Sequence, residues 1–175
     1  MQSSLEEYIE DLIKRYQAHY NVEVNKNIAG KNLDIFAISL IEHFRHILTK
    51  KIKIDHYQEK EIILVKGIDK LVDVEEVKEF SQFLIKASQE LISPSLDIMS
   101  HTINGIIVSS QGFSQEATNT AKRFRYGKTF FLGIKGWFDI RFLLIDLKNS
   151  CINCNAKGNE IYEVYDFQKR KEGIN

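Results

Sequence analysis

Three short apolar runs constrain this chain more than anything else in it: EIILVK at 61–66, GIIVS at 105–109 and FLLIDL at 142–147. Each is rich in Ile, Leu and Val, and none alternates with polar residues. Runs of this length and make-up suit strands buried on both faces, as parallel strands of an α/β sheet are.

Helical signals separate the runs. Leu5, Ile9, Leu12, Ile13 and Tyr16 recur on one helical face, and Ser4 with Glu7 forms a capping box, so a helix is expected from Ser4 to about Tyr20. Asp73 and Glu76 repeat the capping signal before a helix that would bury Val77, Phe80, Ser81, Leu84, Ser88 and Leu91. Ser114 is the expected N-cap of a third helix, with Ala117, Ala121 and Phe124 inward. An extended segment is expected from Asn21 to Val24, a turn at Gly30-Lys31-Asn32, and a strand over Leu33–Leu40. Residues 41–60 carry mixed signals: Phe44, Ile47 and Leu48 suit a helix, while Ile52 and Ile54 alternate as in a strand. They are read as an insertion, as is 92–104, where the sole proline, Pro94, marks a loop. Phe130-Phe131-Leu132 reads as a further short strand. The expectation is an α/β fold with a central mixed sheet flanked by helices. It forms one domain over 1–175, with its core at about 5–147 and a C-terminal extension at 148–175.

Charge narrows the function classes. Lys plus Arg and Asp plus Glu each number 24, so the net charge is zero and no global field draws in nucleic acid or membrane; only local patches remain. No apolar run approaches the roughly 20 residues of a membrane span. The first residues are acidic and amphipathic rather than signal-like, so the expected location is cytoplasmic, without a membrane partner. Cys151 and Cys154 form a lone C-x-x-C in a polar setting. It is read as two thiols in a turn, against a metal or redox site. Five histidines show no zinc spacing, although His43 and His46 stand three apart.

Three stretches together resemble the Mrr-like type IV restriction endonucleases, of the restriction-endonuclease-like superfamily with its PD-(D/E)xK motif. Glu6 in the opening helix matches the family glutamate. Gly30-Lys31-Asn32-Leu33-Asp34 matches the turn and metal-binding aspartate, and Lys66 the family lysine. The closest match runs from Gly105 through GIIVSSQGFSQEA to Ala121, and Leu144-Ile145-Asp146 fits the last strand. The resemblance covers roughly 5–147 and implies a restriction-endonuclease-like fold and metal-dependent phosphodiester hydrolysis of DNA, with a homodimer left open.

In that chemistry two carboxylates hold Mg²⁺, or Mn²⁺, which activates a water and neutralises developing charge. A lysine two residues past the second carboxylate orients the water or stabilises that charge. The resemblance gives Asp34 the metal, with Lys66 and Glu6 as catalytic partners. The middle position departs from the pattern, because residue 64 is Leu64. Two unit charges about 4 Å apart are worth about 4 kcal/mol at an effective dielectric near 20, so the loss is about three decades of affinity. Glu6, Glu10, Glu75 and Glu76 are candidates to replace the ligand, and Leu64→Glu would restore it directly. Without a replacement, the chain is a catalytically degenerate scaffold of the same fold that binds DNA or a protein.

Every candidate also has an ordinary reading. Asp34 suits a strand start beside a turn, Lys66 a strand-end lysine in solvent, and Glu6 and Glu10 solvated helix carboxylates. Lys122, Arg123, Arg125 and Lys128 suit contacts to a phosphate backbone or a solvated helix end favoured by the helix dipole.

Overall fold

The computed structural model describes residues 4–45 and 55–167, of which 43–45 and 55–57 by their backbone only. The chain runs α1 (Leu5–Gln17), β1 (Asn21–Ile28), β2 (Lys31–Arg45), β3 (Asp55–Ile68), α2 (Val74–Leu91), β4 (Ile98–Ser109), α3 (Gln115–Arg123), β5 (Gly127–Thr129), β6 (Trp137–Asp146), β7 (Cys151–Cys154) and the single turn α4 (Tyr162–Tyr165). The strands form one mixed sheet in the order β1-β2-β3-β4-β6-β5, with β7 also on β6. β3, β4 and β6 are parallel, and the other pairings are antiparallel.

The three apolar runs are the three parallel strands, and both of their faces are covered. On one face Ile62, Leu64, Ile103, Ile107, Phe142 and Leu144 pack under α2 and α3. On the other, Ile63, Val65, Ile106, Val108, Leu143 and Ile145 pack with Tyr8, Leu12 and Tyr16 of α1 and Tyr165 of α4. The expected caps form: Ser4 with Glu7, and Asp73 with Glu76, each make a reciprocal capping box, and Ser114 Oγ accepts from the Ala117 N–H. The small residues Ala117 and Ala121 are fully buried against the sheet, as their size demands.

Several expectations need correction. Residues 41–60 are no insertion where they are described: β2 continues to Arg45 and β3 begins at Asp55, paired as a long antiparallel ribbon. Ile47, Leu48, Ile52, Ile54 and His46 lie outside the described residues, as does the end of the chain beyond 167. The 92–104 stretch is an insertion only around Pro94, since β4 starts at Ile98 and pairs with β3 from there. The first turn is Ala29-Gly30, both at positive φ, so β2 already begins at Lys31. Phe130-Phe131-Leu132 is not a strand: Phe131–Gly133 is a 3₁₀ turn with Phe131 and Leu132 in the left-handed region. The stretch after 147 belongs to the core rather than to an extension, because β7 pairs with β6 and Ile152 and Tyr165 are buried. Cys151 and Cys154 sit on that strand, not in a turn. A spacing of three on a strand points the thiols to opposite faces, so they cannot share a metal or form a short-range disulfide.

Two features of the core can be checked in solution. Gly105 lies between Leu64 of β3 and Phe142 of β6, and a Cβ there would meet Leu84 Cδ1 at 2.4 Å. Gly105→Ala therefore overpacks the α2–sheet seam and should lower the unfolding free energy by about 1–3 kcal/mol in a urea titration. His101 is buried beside Lys60, and its Nδ1 has no hydrogen-bond partner. Burial first, and the Lys60 charge second, hold its pKa below the ordinary 6.5. The folded state thus favours neutral imidazole. That stability is complete above pH 6.5 and is lost as pH falls through the lower folded value. The thermal midpoint should drop with acidification below pH 6.5, and His101→Gln should remove the imidazole's share of that drop.

Candidate functional site

The β2–β3 register pairs Ile35 with Val65, so one further step brings Asp34 beside Lys66. The two meet: Lys66 Nζ lies 3.2 Å from Asp34 Oδ2, with each side chain about one-third exposed. The same oxygen accepts the Gly67 N–H at 2.8 Å. This pair stands where β3 leaves the cover of the helices, so both charges keep contact with water.

Glu6 is not brought into that pair. It lies exposed in the first turn of α1, and α1 covers the opposite sheet face from the one Leu64 and Lys66 share. Its neighbour Leu5 packs against Gly67, yet no hydrogen bond or ion pair links Glu6 to Asp34 or Lys66 among the described residues. Glu75 and Glu76 are engaged elsewhere. Glu76 closes the capping box of α2 and pairs with Lys70, while Glu75 pairs with Lys78. Glu10 is exposed on α1.

Leu64 decides what the pair can do. It is completely buried between Phe36 and Gly105, inside the cluster under α2. A carboxylate there would face apolar side chains rather than a metal, so a glutamate at 64 does not restore a ligand. Among the described residues Asp34 supplies one carboxylate there, already paired with Lys66. Among the described residues no three His, Cys, Asp or Glu side chains are placed to hold a metal ion. The donor set does not fit Mg²⁺, which wants several oxygens in octahedral array.

A second polar cluster was not read from the sequence. Glu61 accepts from Tyr20 Oη at 2.6 Å, from Asn104 Nδ2 at 2.6 Å and from Arg141 at 3.3 Å. Arg141 also binds Glu160 at 2.8 Å, and Lys157 bridges Glu160 and Asp139. Burial and the Glu61 carboxylate raise the Tyr20 pKa well above the phenolic range. Strand alternation puts Glu61, Asn104 and Arg141 on the α1 face, at the end of the sheet away from Asp34. Both Glu61 oxygens are occupied, so this network pins α1's C-terminus and the 158–160 turn to the sheet.

The cationic segment behaves differently. Lys122, Arg123, Arg125 and Lys128 are all exposed. Arg125 donates to the carbonyls of Lys122 and Phe124, fixing the turn out of α3. Lys122 lies toward β7, where burial raises the pKa of Cys151 and of Cys154 and the Lys122 charge opposes that rise. β5 and β7 cover opposite ends of the outer edge of β6, leaving a gap between them. Asn155 fills it, accepting the Phe142 N–H at 3.0 Å and donating to the Ile140 carbonyl at 3.0 Å. In front of the gap opens a cavity of about 550 Å³, walled by Arg125, Tyr126, Lys128, Trp137, Asp139 and Lys157 among others.

Millimolar Mg²⁺ or Mn²⁺ should leave the thermal midpoint unchanged, whereas a site filled at 100 times its Kd would add about 2.7 kcal/mol. Leu64→Glu should cost at least about 3 kcal/mol of stability, and the variant should gain no metal dependence. A metal-induced rise in the midpoint of either protein would overturn this account of the Asp34 end.

No helix among the described residues is long and apolar enough to cross a membrane. No curated protein matches the sequence. A repair endonuclease from Pyrococcus abyssi is similar at 12% identity with a TM-score of 0.38, over 68% of this chain and 42% of that one. The present chain thus spans less than half the length of that protein, and the likeness is too slight to bear on function. Residues 4–167 match the family model described as "Domain of unknown function (DUF8052)", and the chain belongs to that family.

Proposed function

We propose that this protein is a DNA-binding module of restriction-endonuclease-like build that grips the phosphate backbone and does not hydrolyse it. The observation that carries the reading is the cationic edge: Lys122, Arg123, Arg125 and Lys128 lie exposed along the exit of α3 and β5, and Arg125 and Lys128 border a cavity with Tyr126 and Trp137 in its wall. Phosphate contacts need only exposed cations in a row, and they supply most of sequence-independent affinity. A chain of zero net charge can present such a row if its carboxylates are tied up elsewhere, as Asp139 and Glu160 are by Lys157 and Arg141. Hydrolysis would need a second carboxylate near Asp34, and Leu64 holds that position as part of the core.

One observation favours a metal-dependent nuclease of the Mrr-like type, namely the Asp34–Lys66 contact. The two readings separate in one assay. Supercoiled plasmid incubated with the protein and Mg²⁺ or Mn²⁺ should remain uncut, and nicking abolished by Asp34→Ala would establish the nuclease instead.

The binding reading has its own test. A fluorescent duplex should bind at low salt with an affinity that falls steeply as salt rises. Combining Lys122→Glu, Arg123→Glu and Lys128→Glu should weaken binding and flatten the log–log salt slope by about 0.9 for each phosphate that is no longer neutralised. Arg125 is left in place because it holds the α3 exit. Absence of binding to any duplex at low salt would sink the reading.

A further inference from the structure

The turn between β5 and β6 presents its apolar side chains to water. Leu132 is 100% exposed, Ile134 70% and Phe131 64%. Phe131 and Leu132 sit at φ 47° and 56°, a conformation that side chains with a Cβ rarely adopt. Gly133 and Gly136 of the same turn also have positive φ, so the chain uses glycine here and still places two large residues in the strained positions. The tip is also built firmly. Phe130 N–H donates to the Gly136 carbonyl at 2.8 Å, Gly133 N–H to the Phe130 carbonyl at 3.0 Å, and Ile134 N–H to the Phe131 carbonyl at 3.1 Å. Phe130 stacks on the buried Phe138 at 5.8 Å, which anchors the base. Strain held this firmly at an exposed apolar tip points to a surface meant to be covered.

The neighbouring charges select what covers it. Lys135 Nζ lies 4.3 Å above the Phe131 ring and Lys128 Nζ 5.9 Å above Phe130. Lys128 is also the last cation of the phosphate-binding edge, so tip and edge form one continuous surface. A nucleic acid offers that combination: anionic phosphates outside and an apolar stack of bases behind them. Proteins that enter such a stack do so with Phe, Leu or Ile side chains beside cations. The cavity next to the tip has Tyr126 and a partly exposed Trp137 in its wall, a place for a displaced base to stack.

We infer that the Phe131–Ile134 tip is a wedge that opens a base step, so that DNA with an unpaired or weakly stacked nucleotide is the preferred ligand. The inference rests on the DNA-binding reading above and adds the class of DNA recognised.

The experiment uses two fluorescent duplexes that differ only in a single bulged 2-aminopurine, together with the double variant Phe131→Gly, Leu132→Gly. Glycine suits the positive φ at both positions, so the variant should keep its thermal midpoint, and the single variant Leu132→Gly serves as a milder check. The intact protein should bind the bulged duplex about tenfold more tightly than the matched one, as loss of one base–aromatic stack would predict. The 2-aminopurine emission should rise on binding. The double variant should bind both duplexes equally, without the rise, at the same salt slope. No binding to either duplex overturns the DNA-binding reading and the wedge with it. Equal binding by the intact protein, or a preference that survives in the double variant, overturns the wedge alone. A third arm adds phosphatidylserine vesicles. Sedimentation with them that the double variant loses, with no preference between duplexes, would assign the tip to a membrane surface instead.

Discussion

Burial of β3, β4 and β6 on both faces is the constraint from which the rest of the molecule follows. A parallel strand with helices on each side has no face for a charge, so polar chemistry is pushed to strand ends and to the sheet edge. Ile62 to Val65 obey this rule with four fully or nearly fully buried residues in succession. Asp34 and Lys66 meet where β3 runs out of cover, and Glu61, Asn104 and Arg141 meet at the other end. Between the two ends even a Cβ is too much at one point, since Leu84 occupies the space that Gly105 leaves open.

The same constraint explains why position 64 offers no ligand beside Asp34. A strand residue two positions before Lys66 faces the same side, and that side is packed by α2. To bear a carboxylate at 64, the structure would need water or a cation at the α2 seam, and Phe36, Leu84 and Ile107 already fill it. Glu6 stands on the helix of the opposite face and makes no hydrogen bond or ion pair to Asp34 or Lys66 among the described residues. The Asp34–Lys66 pair is left as a partly exposed ion pair, of a kind usually worth no more than about 1 kcal/mol.

Legibility in the sequence follows from how many faces of an element are buried. The three parallel strands were readable because double-sided burial leaves an unbroken apolar run, and the helices because caps and periodicity coincide at Ser4, Asp73 and Ser114. The β2–β3 ribbon beyond Leu40 was not, since Leu40 and Ile41 are themselves exposed and burial no longer sorts the residues. β7 escaped because Ile152 is the single fully inward residue among its four, too few to show a period. The 130–132 segment misled in the opposite direction: its apolar residues suit a strand, but two of the three face water at positive φ. Of the site, the Asp34–Lys66 juxtaposition was foreshadowed by the resemblance. The Glu61 network was invisible, because its members come from β3, β4, β6 and the end of α1.

Zero net charge has a further consequence for where binding can occur. At physiological salt the Debye length is about 8 Å, so a phosphate senses only the charges in its immediate neighbourhood. Whole-chain neutrality is then no bar to an anionic partner, provided the carboxylates nearest the cations are neutralised by their own neighbours. Around the gap in the β6 edge, Asp139 and Glu160 meet this condition. Asp139 is paired with Lys157, Glu160 with Arg141 and Lys157, and Arg125 is steered by backbone carbonyls rather than by an acid. The exposed cations there are left facing solvent. The interrupted edge of β6, with β5 and β7 at its two ends and Asn155 closing the gap, supplies the concavity that a row of cations on a flat strand would lack. Polar chemistry excluded from the middle of the sheet by double-sided burial thus reappears along β6, whose outer edge is only partly covered by β5 and β7.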